Sequence, residues 1–225
     1  MFFGPVPLRL HFIYWILPSL WIGAMMAAYF SGIDALRHIV SPPVNREFGL
    51  LENSQLVVLA IIIWICWNAF RVANAPSRKA MFAVFGLVSV GVFLEEIDYG
   101  LHIYEYFFGA TGLTVRNLHN QKGMLSVIKD ISEGITIVLF AILPMLKPYI
   151  RNPTLRSFIP RRLITLTAVL GLALALVAHR LEQSGFYLGG PLHGNIAEFR
   201  EFFTYWVAML YFLELSQPDW AVKMT

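Results

Sequence analysis

Long apolar blocks separated by short polar turns set the pattern of this chain. Six blocks reach the roughly 20 residues that a helix needs to cross about 30 Å of hydrocarbon. They lie near 10–30, 52–72, 79–99, 128–148, 162–183 and 198–217. The connections read "SPPVNREFG", "NAPSRK", "KPYIRNPTLRSFIPRR" and "SGFYLGGPLHGN". Their Pro and Gly residues mark the ends of spans. The first block follows Arg9, is longer than a signal-peptide core and lacks a cleavage signature, so it is expected to be retained as a helix. The longest connection, about 101–127, is aromatic and partly amphipathic. It is expected to lie in the membrane interface or to fold back over the bundle. The pattern predicts an all-α integral membrane protein with one transmembrane domain over 1–225, a bundle of about six helices.

Composition agrees. The 225 residues are 57% hydrophobic and 14% charged, whereas a soluble domain carries about 25% charge. The net charge of +3 is small and points to no nucleic-acid partner. The one cysteine, Cys66, lies inside an apolar block, which excludes an intrachain disulfide and argues against thiol catalysis. No nucleophile-elbow, phosphate-loop or dinucleotide-binding motif is present. The aromatics, among them Tyr14, Trp15, Trp21, Trp64, Trp67, Tyr205, Trp206 and Tyr211, are expected mostly in interfacial belts or against lipid.

Lys and Arg residues set the expected orientation. A cytoplasmic N-terminus puts Arg9, Arg71, Arg78, Lys79, Lys147, Arg151, Arg156, Arg161, Arg162 and Lys223 inside, against seven cations outside. Both termini are then cytoplasmic, in a multi-pass protein of a bacterial inner membrane. The acids divide more sharply. Of the fourteen, all but Glu214 and Asp219 fall on the outer side. Acids contribute little to topology, so orientation does not require this segregation.

The stretch "FLEEIDYG" at 93–100 sharpens the question. Acids near helix N-termini, such as Glu52, Asp130, Glu133, Glu198 and Glu201, are favoured by the helix dipole. They can also pair with Arg116, Lys122, Lys129, Arg180 and Arg200. Glu95 and Glu96 end their span, where the dipole disfavours anions, so they need a cation, a metal or a proton. A helix continuing past Asp98 would align Glu95, Asp98, His102 and Glu105 on one face. Carboxylates and imidazoles from facing helices build metal sites in bundles. The candidate ligands are Glu95, Glu96, His119, His179 and Glu201, with Glu52 or Asp98 as base or supporting partner. Oxygen-rich ligation with one or two imidazoles suits a divalent metal, Zn, Mn, Fe or Ca. The inner halves of the spans carry almost no ionisable groups, which argues against a transbilayer ion pathway.

"FLEEIDYG" followed by "RNLHNQKG" resembles an uncharacterised family of bacterial polytopic membrane proteins. That family carries Glu-Glu-Ile-Ser-Trp-Gly and Asn-Leu-His-Asn segments. "GLLENSQLVV" and "AEFREFF" extend the likeness, while Asp98-Tyr99 stands where the family has Ser-Trp. The resemblance implies that Glu52, Glu95, Glu96, His119 and Glu201 act together, and it assigns no reaction. The end "AHRLEQSGFYLGGPLHGNIAEFREFF" is similar in layout to ceramidase-type membrane hydrolases, with Glu198 and Glu201 where paired histidines would stand.

Two functions follow as expectations. One is a membrane protein with a metal-binding carboxylate/His cluster at the outer (periplasmic) face, which, if it is an enzyme, would be a metal-dependent hydrolase acting on a lipid-like substrate. The other is a non-catalytic accessory subunit that joins other membrane subunits in a larger complex, respiratory or photosynthetic.

Overall fold

The structure is a computed structural model and describes residues 7–42, 49–97, 108, 134–183 and 196–217. All regular structure in that set is helical. Helix α1 spans Leu8–Phe30, α2 Asp34–Val40, α3 Leu50–Val72 and α4 Pro76–Glu96. Helix α5 spans Gly134–Tyr149, α6 Pro153–Phe158, α7 Arg162–Gln183 and α8 Ile196–Ser216. Helices α1, α3 and α4 are long and apolar enough to cross a membrane. Five of the six expected spans thus coincide with helices within a few residues, and the fourth is described from Gly134 onward. The short helices α2 and α6 have no counterpart in the apolar pattern.

Local sequence explains the helix ends. Pro76 occupies the first turn of α4, where its missing N–H costs nothing. Asn152 caps α6, its side chain accepting from the Leu155 N–H at 3.1 Å. Gly32, at φ 78°, makes the left-handed turn that joins α1 to α2, a conformation glycine adopts without strain. Arg37 on α2 is buried and pairs with Asp34 one turn earlier at 3.4 Å.

A proline shapes α1 from within. Pro18 has no N–H to return to the carbonyl of Tyr14, and its ring crowds that carbonyl. The helix widens into a π-turn over Phe12–Ile16, where the Leu17 N–H reaches back to Phe12. The carbonyls of Ile13 and Tyr14 therefore lose their usual backbone donors. In hydrocarbon such groups must be satisfied internally. Thr167 Oγ1 on α7 donates to the Tyr14 carbonyl at 2.6 Å. Trp206 Nε1 on α8 donates to the Ile13 carbonyl at 3.1 Å. The defect created by Pro18 thus becomes the joint that ties α1 to α7 and α8. A second π-turn, Val138–Ile142, precedes Pro144 in α5.

Helix α8 is central and packs on α3 and α7, while α4 packs on α3. The buried positions of α3, including Leu51, Val58, Ile62, Ile65 and Ala69, recur at helical spacing and form its inward stripe. Helices α7 and α8 approach closely at Gly171, where an added Cβ would stand 2.6 Å from Phe203. A small residue is what lets two helices come this near. Trp64, Trp67, Leu87 and Val88 face outward, as side chains in lipid do.

Two contacts fix which helix ends meet. The Tyr14 hydroxyl reaches Glu214. Arg78 Nη2 donates to the Leu215 carbonyl at 2.7 Å. The starts of α1 and α4 therefore lie beside the end of α8, at what we term the N-terminal end of the bundle. The start of α3 and the end of α4 lie at the far end.

Candidate functional site

The expected acidic cluster belongs to the far end. Glu52 lies in the first turn of α3, and Gln55, fully buried, follows three residues on. Glu95 and Glu96 form the last turn of α4, and Glu201 lies near the start of α8. All four carboxylates are half-buried. Tyr205, one turn along α8 from Glu201, donates its hydroxyl to Glu96 Oε1 at 2.5 Å. This bond draws the end of α4 to α8 and supplies one of the stabilising partners that an anion at a helix C-terminus needs.

Helix α4 ends at Glu96, with Ile97 in a turn. Asp98, His102 and Glu105, expected to share a face with Glu95, lie outside the described residues, and so does His119. His179 sits on the backbone of α7, but its side chain lies outside the described set. Among the described residues, no three His, Cys, Asp or Glu side chains gather as metal ligands.

The N-terminal end holds a network that the apolar pattern concealed. Glu214, one turn from the end of α8, accepts from the Tyr14 hydroxyl. Its other oxygen accepts from the Arg161 backbone N–H at 2.9 Å. The charges of Arg161 and Lys147 act on the same carboxylate. The Lys147 ammonium donates to the Ile159 carbonyl, and the Tyr211 hydroxyl donates to the Phe158 carbonyl at 2.9 Å. One acid thus joins α1, α8 and the segment entering α7. Neighbouring side chains fasten the polypeptide around α6.

Hydrogen bonds inside the bundle correct the expectation for four of the aromatics. Tyr14 is fully buried and Tyr211 nearly so, while Tyr205 and Trp206 are half-buried. All four give their polar hydrogens to partners inside the bundle. Trp64 and Trp67 keep the outward position expected of them. No signal in the sequence marked the difference, because these partners lie far away along the chain.

The two ends differ in their chemistry. At the N-terminal end the carboxylate is matched by a phenol, a backbone N–H and two cations, a set suited to holding helices in place. At the far end four half-buried carboxylates stand on three helices, and the Tyr205 phenol joins one of them, Glu96. The chain was compared with protein-family models, with curated proteins and with solved structures, and it matches none of them.

Proposed function

We propose that the chain is a multi-pass protein of a bacterial inner membrane, with about six spans and cytoplasmic termini, whose far end binds a divalent cation at the outer face. The observation that carries this reading is the contact between Glu96 and Tyr205. It draws an acid at a helix C-terminus toward α8, whose preceding turn bears Glu201. Glu52 on the neighbouring α3 and Glu95 beside Glu96 add carboxylates at the same end. The sequence offers His119, His179 and Asp98 to complete the set. An oxygen-rich site with one or two imidazoles suits Zn, Mn, Fe or Ca. Such a metal polarises a carbonyl or activates a water. A membrane-presented ester or amide of lipid type is the substrate class such a site serves.

The test is elemental analysis of protein purified in mild detergent without chelators, beside Glu96→Ala. Near-stoichiometric metal that disappears in the variant supports the site. Equal metal in both proteins, or none in either, overturns it.

A second reading rests on a different observation. Helix α4 buries only Phe82 and Ser89 and turns Val84, Leu87, Val88, Val90 and Leu94 outward. That face would serve an accessory subunit that docks against another membrane protein. Stoichiometric co-purification from native membranes, together with absence of metal, favours this reading over the first.

A further inference from the structure

The sixteen residues from Lys147 to Arg162 contain five cations and no acid. The fold sorts four of these cations into two groups. Lys147 and Arg161 act on Glu214. Arg151 and Arg156 are exposed, and no carboxylate among the described residues forms an ion pair with either. Three large side chains stand out beside them: Tyr149 at 81% exposure, Leu155 at 54% and Phe158 at 41%. The segment is firmly built. Asn152 caps α6, Ser157 Oγ donates to the Thr154 carbonyl at 2.7 Å, and Tyr211 and Lys147 hold the carbonyls of Phe158 and Ile159. The two arginines are therefore presented from a supported turn at the N-terminal end of the bundle.

Exposed arginines interleaved with exposed apolar side chains suit one environment above others, the boundary between phospholipid headgroups and acyl chains. Arginine's planar fork matches two phosphate oxygens at once. A soluble anion would satisfy the arginines and leave Tyr149, Leu155 and Phe158 in water. An acidic protein partner would leave them facing carboxylates.

We infer that α6 and its flanks form a binding site for an anionic phospholipid headgroup. Arg151 and Arg156 take the phosphodiester, and Tyr149, Leu155 and Phe158 lie among the first acyl carbons. The site is independent of the cation site at the far end. Its position, next to the Glu214 network, lets a bound lipid brace the same segment that Tyr211 and Lys147 hold.

The test uses the full chain in mild detergent, with lipid binding followed by native mass spectrometry. The probes are phosphatidylglycerol, phosphatidylcholine and inorganic phosphate. The variant is Arg151→Gln with Arg156→Gln, both exposed and outside the core. The matched control is Arg9→Gln with Arg71→Gln, two exposed cations of the same end. Each interfacial arginine contributes a preference for anionic lipid of about fivefold, so the double variant is expected to bind phosphatidylglycerol roughly 25-fold more weakly. Binding to phosphatidylcholine should stay weak in every protein, and the control pair should change little. Equal binding of the two lipids overturns the inference. So does an equal loss in the control pair, which would show a diffuse surface charge. Displacement of phosphatidylglycerol by equimolar phosphate would assign the arginines to a soluble anion instead.

Discussion

At the N-terminal end of the bundle one carboxylate ties three segments together, whereas at the far end four carboxylates stand on three helices. Glu214 receives the Tyr14 hydroxyl and the Arg161 N–H and feels two cations. Glu52, Glu95, Glu96 and Glu201 stand on three helices, with Tyr205 reaching Glu96. The contrast sets a carboxylate that holds the fold beside carboxylates that, on the proposed reading, bind a cation. A buried charge that satisfies its neighbours cannot be removed without orphaning them. Carboxylates that share a bound cation, as proposed for the far end, lose that ligand when one of them is removed. Substitutions at the two ends should therefore differ in kind, with stability lost at one and ligand lost at the other.

The largest effect is expected at Glu214. Glu214→Ala leaves the Tyr14 hydroxyl, the Arg161 N–H and the nearby cations without their shared acceptor. The expected loss is about 3–5 kcal/mol of stability, read as a lowered unfolding midpoint in detergent. Glu214→Gln retains an amide oxygen and should lose less. A change under about 1 kcal/mol, the scale of a solvent-exposed ion pair, would erase the distinction between the two ends.

Between the ends, Gly171 tests whether α7 and α8 must touch. Gly171→Ala places a Cβ 2.6 Å from Phe203, and the helices must part. Overpacking of this kind costs about 2–3 kcal/mol. Gly23→Ala and Gly91→Ala are natural controls, since nothing lies within 4 Å of a Cβ at either position. Equal unfolding midpoints for all three variants would mean that the close approach at Gly171 carries no weight.

Thr167→Val is expected to have a smaller effect of the same kind. It keeps the shape of the side chain and deletes the donor to the Tyr14 carbonyl. An unsatisfied buried carbonyl costs about 1–2 kcal/mol. Restoring the missing backbone donor should rescue it: Pro18→Ala in the Thr167→Val background lets the helix close its own hydrogen bond. Failure of that rescue would count against the joint between α1 and α7.

The fold was largely legible because length and hydropathy alone decide whether a helix can span a bilayer. The spans at 10–30, 52–72 and 79–99 correspond to α1, α3 and α4 for that reason. The short helices escaped notice because their sequences, "DALRHIV" and "PTLRSF", have no apolar run to display. The far-end acids could be named from their position at helix ends. Tyr205 could not, because a tyrosine in an apolar helix looks the same whether it faces lipid or a carboxylate. Glu214 was visible as an exception among the acids. Its partners come from residues 14, 147 and 161, and only the folded chain brings such distant positions together.

The smallest expected change in stability is also the one that sharpens the comparison most. Glu96→Gln removes a charge and keeps an oxygen to accept from the Tyr205 hydroxyl. If the far end serves binding, stability should move by no more than about 0.5 kcal/mol. Bound divalent metal should fall away, because an amide is a poor ligand for a site that relies on negative charge. Tyr205→Phe makes the complementary change, leaving the charge and removing the donor, and should retain metal at a modestly reduced level. Suppose instead that Glu96→Gln unfolds the protein as readily as Glu214→Ala and metal content never changes. Glu96 would then be a structural carboxylate like Glu214, and the two ends of the bundle would perform the same task.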